Sequence, residues 1–143
     1  MPEQYETLLH EWFDRVWNKR DRAAIREMMS EDCINHGLSG PGGDPVRGFD
    51  GFEQFHSAFL NAFPELHIEV DDVIADGDKL AGRYTVTGMK DGPIPGMPET
   101  NKKVRLTGVG LANVRDGKFV EVWNVVDFPK MAYDLDENTP DVE

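Results

Sequence analysis

Near the end of the chain the segment VEVWNVVDF (residues 120–128) reads as a buried strand rich in Val and aromatics, yet it carries Asn124 and Asp127. A carboxylate among apolar residues is costly unless it is paired, neutralised or used. In an apolar pocket its charged form is disfavoured, which lifts its pKa toward the range where it takes and returns a proton. Asp127 is therefore the candidate for acid–base chemistry. The competing reading has it capping a loop through backbone N–H groups at the strand end. In a flat strand residues 121, 123, 125 and 127 share one face, and 120, 122, 124, 126 and 128 share the other. Alternation leaves open which face meets a pocket, and a bulge would exchange part of them.

Four histidines occur, at 10, 36, 56 and 67. His36, in CINHG, follows a short apolar stretch and precedes a Gly-rich loop; a lone His there reads first as structural, and it is the best candidate of the four to share a pocket with Asp127. His10 and His67 read as surface residues, and His56 as lying at a rim or in solvent. No HExxH, CxxC or His-x-His pattern is present, so no metal site is expected. GLSGPGGD (residues 37–44) lacks GxGxxG spacing and reads as a loop, and Ser39 lacks a GxSxG context. Cys33, with apolar neighbours, reads as a buried structural thiol, and a single cysteine forms no internal disulfide. Arg83 reads as an outward-facing ion pair. What remains is carboxylate chemistry in an apolar cavity, with no cofactor expected.

The balance of charge narrows the partners. A net charge of −12 repels nucleic acid and anionic membrane surfaces. No run approaches the ~20 apolar residues of a membrane helix, and the N-terminus lacks the pattern of a signal peptide. The expected setting is the cytoplasm and the expected partner a small hydrophobic molecule. Lys102, Lys103 and Arg105 form a small basic cluster that reads as a solvated hairpin edge.

The elements that must position these residues follow from periodicity. Residues 5–17 place Tyr5, Leu8, Leu9, Trp12, Phe13 and Val16 on one helical stripe. A short helix follows from about Asp21, with Ile25, Met28 and Met29 inward. A third begins at the capping box DGFE, with Asp50 as N-cap and Glu53 three residues on, and ends at Pro64. Its buried face carries Phe52, Phe55, Phe59 and Phe63. The period then changes to alternation: a strand after Pro64, a DGDK turn, a strand over residues 79–89, a long loop GPIPGMPETN, a strand over 102–114, an Asp-Gly hairpin turn and the strand 118–128. Glycines at 82, 88, 108 and 110 inside strands predict bends or close approaches, hence a strongly curved sheet around the helices. One domain over residues 1–143 is expected, α+β in class. Residues 131–143 form an acidic tail expected to be frayed.

Taken in order, INHG with its Gly-rich loop, FPELHIEVDDVIADGDKLAGRYTVTG, GPIPGMPETNKKV and RDGKFVEVWNVVD together resemble the SnoaL-like polyketide cyclases of the NTF2-like superfamily. The resemblance covers roughly residues 5–130. It implies a cone-shaped α+β barrel: three N-terminal helices on a highly curved, mostly antiparallel sheet enclosing an apolar cavity. It also implies cofactor-free acid–base catalysis, an intramolecular aldol-type cyclisation or a related lyase or isomerase reaction on a polyketide-like substrate. The family's Asp maps onto Asp127 and its His onto His36. Trp123 and Tyr84 would stack on a flat substrate, Asn124 would orient a water or a substrate oxygen, and Trp12, Phe55 and Phe59 would exclude solvent. A homodimer through the outer face of the sheet is implied as well. Where relatives continue as a helix after the Asp, FPKMAYDLDENTP sets Pro129 in its way. The alternative reading is a non-catalytic small-molecule-binding or dimerisation module of the same fold.

Overall fold

The computed structural model describes residues 2–38, 43–91, 101–136, 138 and 140, with the side chains of 2–6 and 128 left out. Residues 92–100 of the expected long loop, Ser39, and the side chain of Tyr5 lie outside the described residues. Among the described residues four helices pack on a six-stranded sheet of order β2 (Val46–Arg47), β1 (Met29–His36), β6 (Lys118–Val126), β5 (Lys103–Arg115), β4 (Lys79–Met89) and β3 (His67–Asp76). The sheet curves without closing, so β2 and β3 remain its edges.

Helix α1 (Pro2–Trp12) runs into a π-helical turn (Phe13–Asn18), where a single continuous helix is expected from the apolar stripe. The wider turn keeps Phe13, Val16 and Trp17 buried and brings Asn18 to the sheet edge. There its amide donates to the Ile68 carbonyl and accepts from the Ile68 N–H, each at 2.8 Å. Helix α2 (Ala23–Met28) leads directly into β1 (Met29–His36), then β2 (Val46–Arg47) and helix α3 (Gly48–Ala62).

The start of α3 corrects the capping-box expectation. Its N-cap is Arg47, and no side chain caps it. Glu53 instead holds Arg26 of α2, with Nε to Oε2 at 3.0 Å and a second bond at 3.1 Å, and Asp50 adds an ion pair to the same guanidinium at 3.7 Å. A two-point bond to a guanidinium outcompetes a single bond back to a backbone N–H. His56 is likewise corrected: it is buried, 1% exposed, with its ring against Trp17 and Phe52 of the core. Its Nε2 lies 2.7 Å from the Val16 carbonyl and therefore donates the proton, while Nδ1 has no partner among the described residues.

That arrangement makes His56 a source of acid sensitivity. Burial is the largest influence and holds its pKa below the ordinary 6.5; the Val16 carbonyl and Glu53 oppose this, and Arg20 and Arg22 reinforce it. Between the native and unfolded pKa values the unfolded chain binds more protons, so stability falls as pH drops below about 6.5. Urea melts at pH 7.5 and 5.5 should show a larger loss for the wild type than for His56→Gln. Equal losses in the two proteins would remove His56 as the cause.

The remaining strands form a meander: β3 (His67–Asp76), β4 (Lys79–Met89), β5 (Lys103–Arg115) and β6 (Lys118–Val126). The hairpin turn between β5 and β6 has Asp116 and Gly117 at φ 54° and 76°, the two positive values that an Asp-Gly turn provides. Sequence alternation misses two pairings: β1 pairs antiparallel with the short β2, and β6 also runs parallel to β1, with Asn35 opposite Val122 and His36 opposite Trp123. A parallel neighbour leaves no turn signal in the sequence.

After β6 the chain enters helix α4 (Phe128–Leu135), which corrects the obstruction expected at Pro129 and puts residues 131–135 of the expected tail in a helix, while residues 137, 139 and 141–143 lie outside the described residues. Pro129 sits in the first turn, where its fixed φ suits a helix and its missing N–H costs nothing. Met131 and Leu135 are buried, at 1% and 0% exposure, and Asp134 is buried too. Asp134 accepts from the Arg105 backbone N–H at 3.2 Å and pairs with Lys130 Nζ at 2.5 Å, while Lys102 donates to the Asp136 carbonyl. The basic cluster thus helps seat α4 on β5.

Candidate functional site

Between the helices and the concave face of the sheet lies a cavity of about 90 Å³. Helices contribute Trp12, Phe13, Trp17, Phe52, Phe55 and Phe59 to its wall, and the strands contribute Leu80, Tyr84, Leu106, Val122, Asn124 and Val126 among others. The wall is apolar apart from Asn35, Tyr84 and Asn124, and no charged side chain lines it among the described residues. Its volume is several times what one water needs, and most of its surface offers water no partner.

The inner face of β6 is therefore the set 122, 124, 126. Asn124 is the polar member, and its amide is fixed in place: Nδ2 donates to the His36 carbonyl at 3.2 Å, and Oδ1 lies 3.4 Å from the Tyr84 hydroxyl. Tyr84 is 4% exposed, and burial pushes its phenol above the ordinary range. Close passage of β1 over β6 depends on Gly37 at φ +86°, where a Cβ would stand 1.9 Å from the Asn124 carbonyl oxygen. Asn35, 4% exposed, faces the same cavity beside the sulfurs of Met29 and Cys33, at 3.6 and 3.7 Å. Burial raises the Cys33 thiol to about 12, in keeping with a structural thiol.

The sequence profile of the SnoaL-like polyketide cyclases matches residues 7–135. The chain belongs to the SnoaL-like polyketide cyclase family. Among solved structures, this SnoaL-like chain is similar to a candidate SnoaL-like polyketide cyclase from Jannaschia sp. CCS1, at 24% identity over 97% of this chain and 95% of that one, with a TM-score of 0.82. It is similar to IdmH, a candidate polyketide cyclase from Streptomyces antibioticus, at 26% identity over 87% and 93%, with a TM-score of 0.75. AclR, a candidate hydroxylase from Streptomyces galilaeus, matches at 29% identity over 99% and 85%, with a TM-score of 0.78. No curated protein matches significantly.

Within this SnoaL-like fold the expected site residues divide. Trp12, Tyr84, Asn124, Phe55 and Phe59 all line the cavity. Asp127, His36 and Trp123 do not. Asp127 is exposed one residue beyond cavity-lining Val126, where Oδ1 accepts from the Lys130 N–H at 3.1 Å and caps α4. The Asp127 N–H donates to the Thr107 carbonyl at 3.1 Å. His36 lies on the outer face, its Nε2 2.7 Å from Glu121 Oε2 and its ring stacked on Trp123 at 5.3 Å and 12°. Asn124 has the cavity, and Asp127 stands just past the end of β6, outside the alternation of the strand, as the N-cap of α4. Arg83 pairs outward with Asp71 at 3.7 Å, as expected.

Sequence reasoning passed over Asn35 and Trp17. The pattern Cys33-x-Asn35 carried the signal, because it puts Asn35 on the inward face of β1 beside a buried thiol. Among the described residues no cluster of three metal-ligating side chains forms, and no helix is long and apolar enough to cross a membrane.

Proposed function

We propose that this protein is a small-molecule cyclase, closing a ring within a small, largely apolar, polyketide-like substrate by an intramolecular aldol-type reaction. The observation that carries the reading is the cavity, a pocket of aromatic and aliphatic walls with three neutral polar side chains, in a chain of this family. Such walls desolvate an apolar substrate and hold one pose, and positioning contributes heavily to intramolecular closure.

Asp127 is the acid–base group in this reading. It directly follows the lining residue Val126, and among the described residues only its Oδ1 is engaged. The substrate body occupies the cavity and its reacting end lies at the rim. The carboxylate removes a proton from the carbon between two carbonyls, and that carbon bonds to the carbon of a third carbonyl, the internal ketone, whose π-bond electrons move to its oxygen. The alkoxide so formed takes the proton back from Asp127. Product and substrate are isomers, no metal or cofactor takes part, and His36 has no role in the transfer. The test is a panel of small linear β-keto esters bearing an internal ketone, scored for carbon–carbon bond formation. Acceleration above the buffer background is expected, and a panel wholly at background would overturn the proposal.

The outer face of the sheet supports a homodimer. Val109 pairs with Val125 and Leu111 with Trp123 across β5 and β6, and all four are exposed, Val125 by 75%. A two-fold axis through this apolar patch would cover it with its own copy. Light scattering should find a dimer at micromolar concentration and a monomer for Val125→Glu. A monomeric wild type would refute the pairing.

A further inference from the structure

Tyr84 belongs to β4, yet its ring lies over Gly108 of β5. A Cβ there would stand 2.7 Å from the Tyr84 hydroxyl and from two of its ring carbons. The next inward position of β5 is Gly110, where an added Cβ would stand 3.5 Å from Asn124 Oδ1. Two successive inward positions thus lack side chains, and Tyr84 from one neighbouring strand meets Asn124 from the other in the space left.

The two polar groups are oriented but loosely joined. Asn124 Nδ2 is committed to the His36 carbonyl, so Oδ1 faces Tyr84. At 3.4 Å their contact is well beyond the ~2.7–2.8 Å of a typical O–H···O bond. Both side chains line the cavity, whose wall offers a ligand few other polar atoms.

We infer that the Tyr84–Asn124 pair recognises one uncharged hydroxyl group on the ligand, with Tyr84 donating to the ligand oxygen and the ligand hydroxyl donating to Asn124 Oδ1. A hydroxyl fits because it accepts and donates through one atom. An ether or ketone only accepts, which leaves Asn124 Oδ1 without a donor. A carboxylate would bring a charge into an apolar wall with no cationic side chain among the described residues. The inference rests on the cavity being the substrate site, and it gives that site a substrate class: a neutral alcohol, phenol or enol carried on an apolar body.

Binding of phenol, anisole, toluene and benzoate to the full chain, measured by titration calorimetry and ligand-observed NMR, tests it without any turnover. Phenol should bind more tightly than anisole to the wild type, although anisole is the more apolar. Tyr84→Phe should weaken phenol about tenfold and leave toluene unchanged, as expected for one lost hydrogen bond. Benzoate should not compete. A wild type that prefers anisole, or a Tyr84→Phe protein that keeps its affinity for phenol, would overturn the inference while leaving the cavity as a ligand site. If neither phenol nor toluene binds, the cavity reading fails together with it.

Discussion

Asp127→Asn is expected to lower the rate of ring closure by about 10²- to 10⁴-fold, the usual contribution of one positioned acid–base group. The substitution is chosen because it separates chemistry from structure. Asp127 caps α4 through one acceptor oxygen, and Asn fills an N-cap about as well as Asp. The Asp127 backbone bonds to Thr107 and Met131 do not involve the side chain. An amide oxygen accepts the Lys130 N–H but does not take a proton from carbon at neutral pH. The melting temperature should therefore be nearly unchanged while closure in the β-keto ester assay collapses. A variant that folds and retains full turnover would remove Asp127 from the mechanism and leave it as a cap.

The second large effect is structural and lies at Gly37. Gly37→Ala places a Cβ 1.9 Å from the Asn124 carbonyl oxygen, in a backbone conformation of φ +86° that L side chains rarely adopt. Conformational strain of ~1–3 kcal/mol adds to a forced shift of similar size. Together these predict a loss of about 3 kcal/mol or more, or roughly 10 °C in melting temperature for a chain of this size. The neighbour in the clash is backbone, so no rotamer change relieves it. Because Asn124 is tied to the His36 carbonyl next door, the same shift would displace the polar end of the cavity. Gly77→Ala is the control: its φ is +62°, with nothing within 4 Å of the added Cβ. Equal losses at the two positions would show that the contact with Asn124 contributes nothing beyond the backbone strain.

The glycines show how far a sequence reading reaches. A Gly inside a strand announces that something comes close, and each of Gly82, Gly88, Gly108 and Gly110 has a side chain against its open face. It does not announce what comes close. Tyr84 meets Gly108 because β4 and β5 pair with Tyr84 opposite Gly108, a register set by the hairpin geometry of the whole meander. The helix stripes were legible for a related reason, since 3.6-residue spacing of large apolar groups has few other solutions. His56 was not, because a polar residue beside Phe55 looks solvent-facing until α2, the π-helical turn and α3 close around it. Pro129 misled by type alone; in a first turn it favours the helix it would break further in.

The segment VEVWNVVDF draws the division most clearly. Alternation by itself determined that Val122, Asn124 and Val126 share one face while Glu121, Trp123 and Val125 share the other. Composition could not rank the two, since each face mixes apolar and polar groups. Only the tertiary structure decided, because β6 is hydrogen-bonded to β1 on one side and β5 on the other, and the helices cover a single face of that sheet. Which face is inside depends on where the helices pack, a long-range energy that no local spacing records. That packing gave the cavity to Asn124 and left Asp127 exposed at the start of α4.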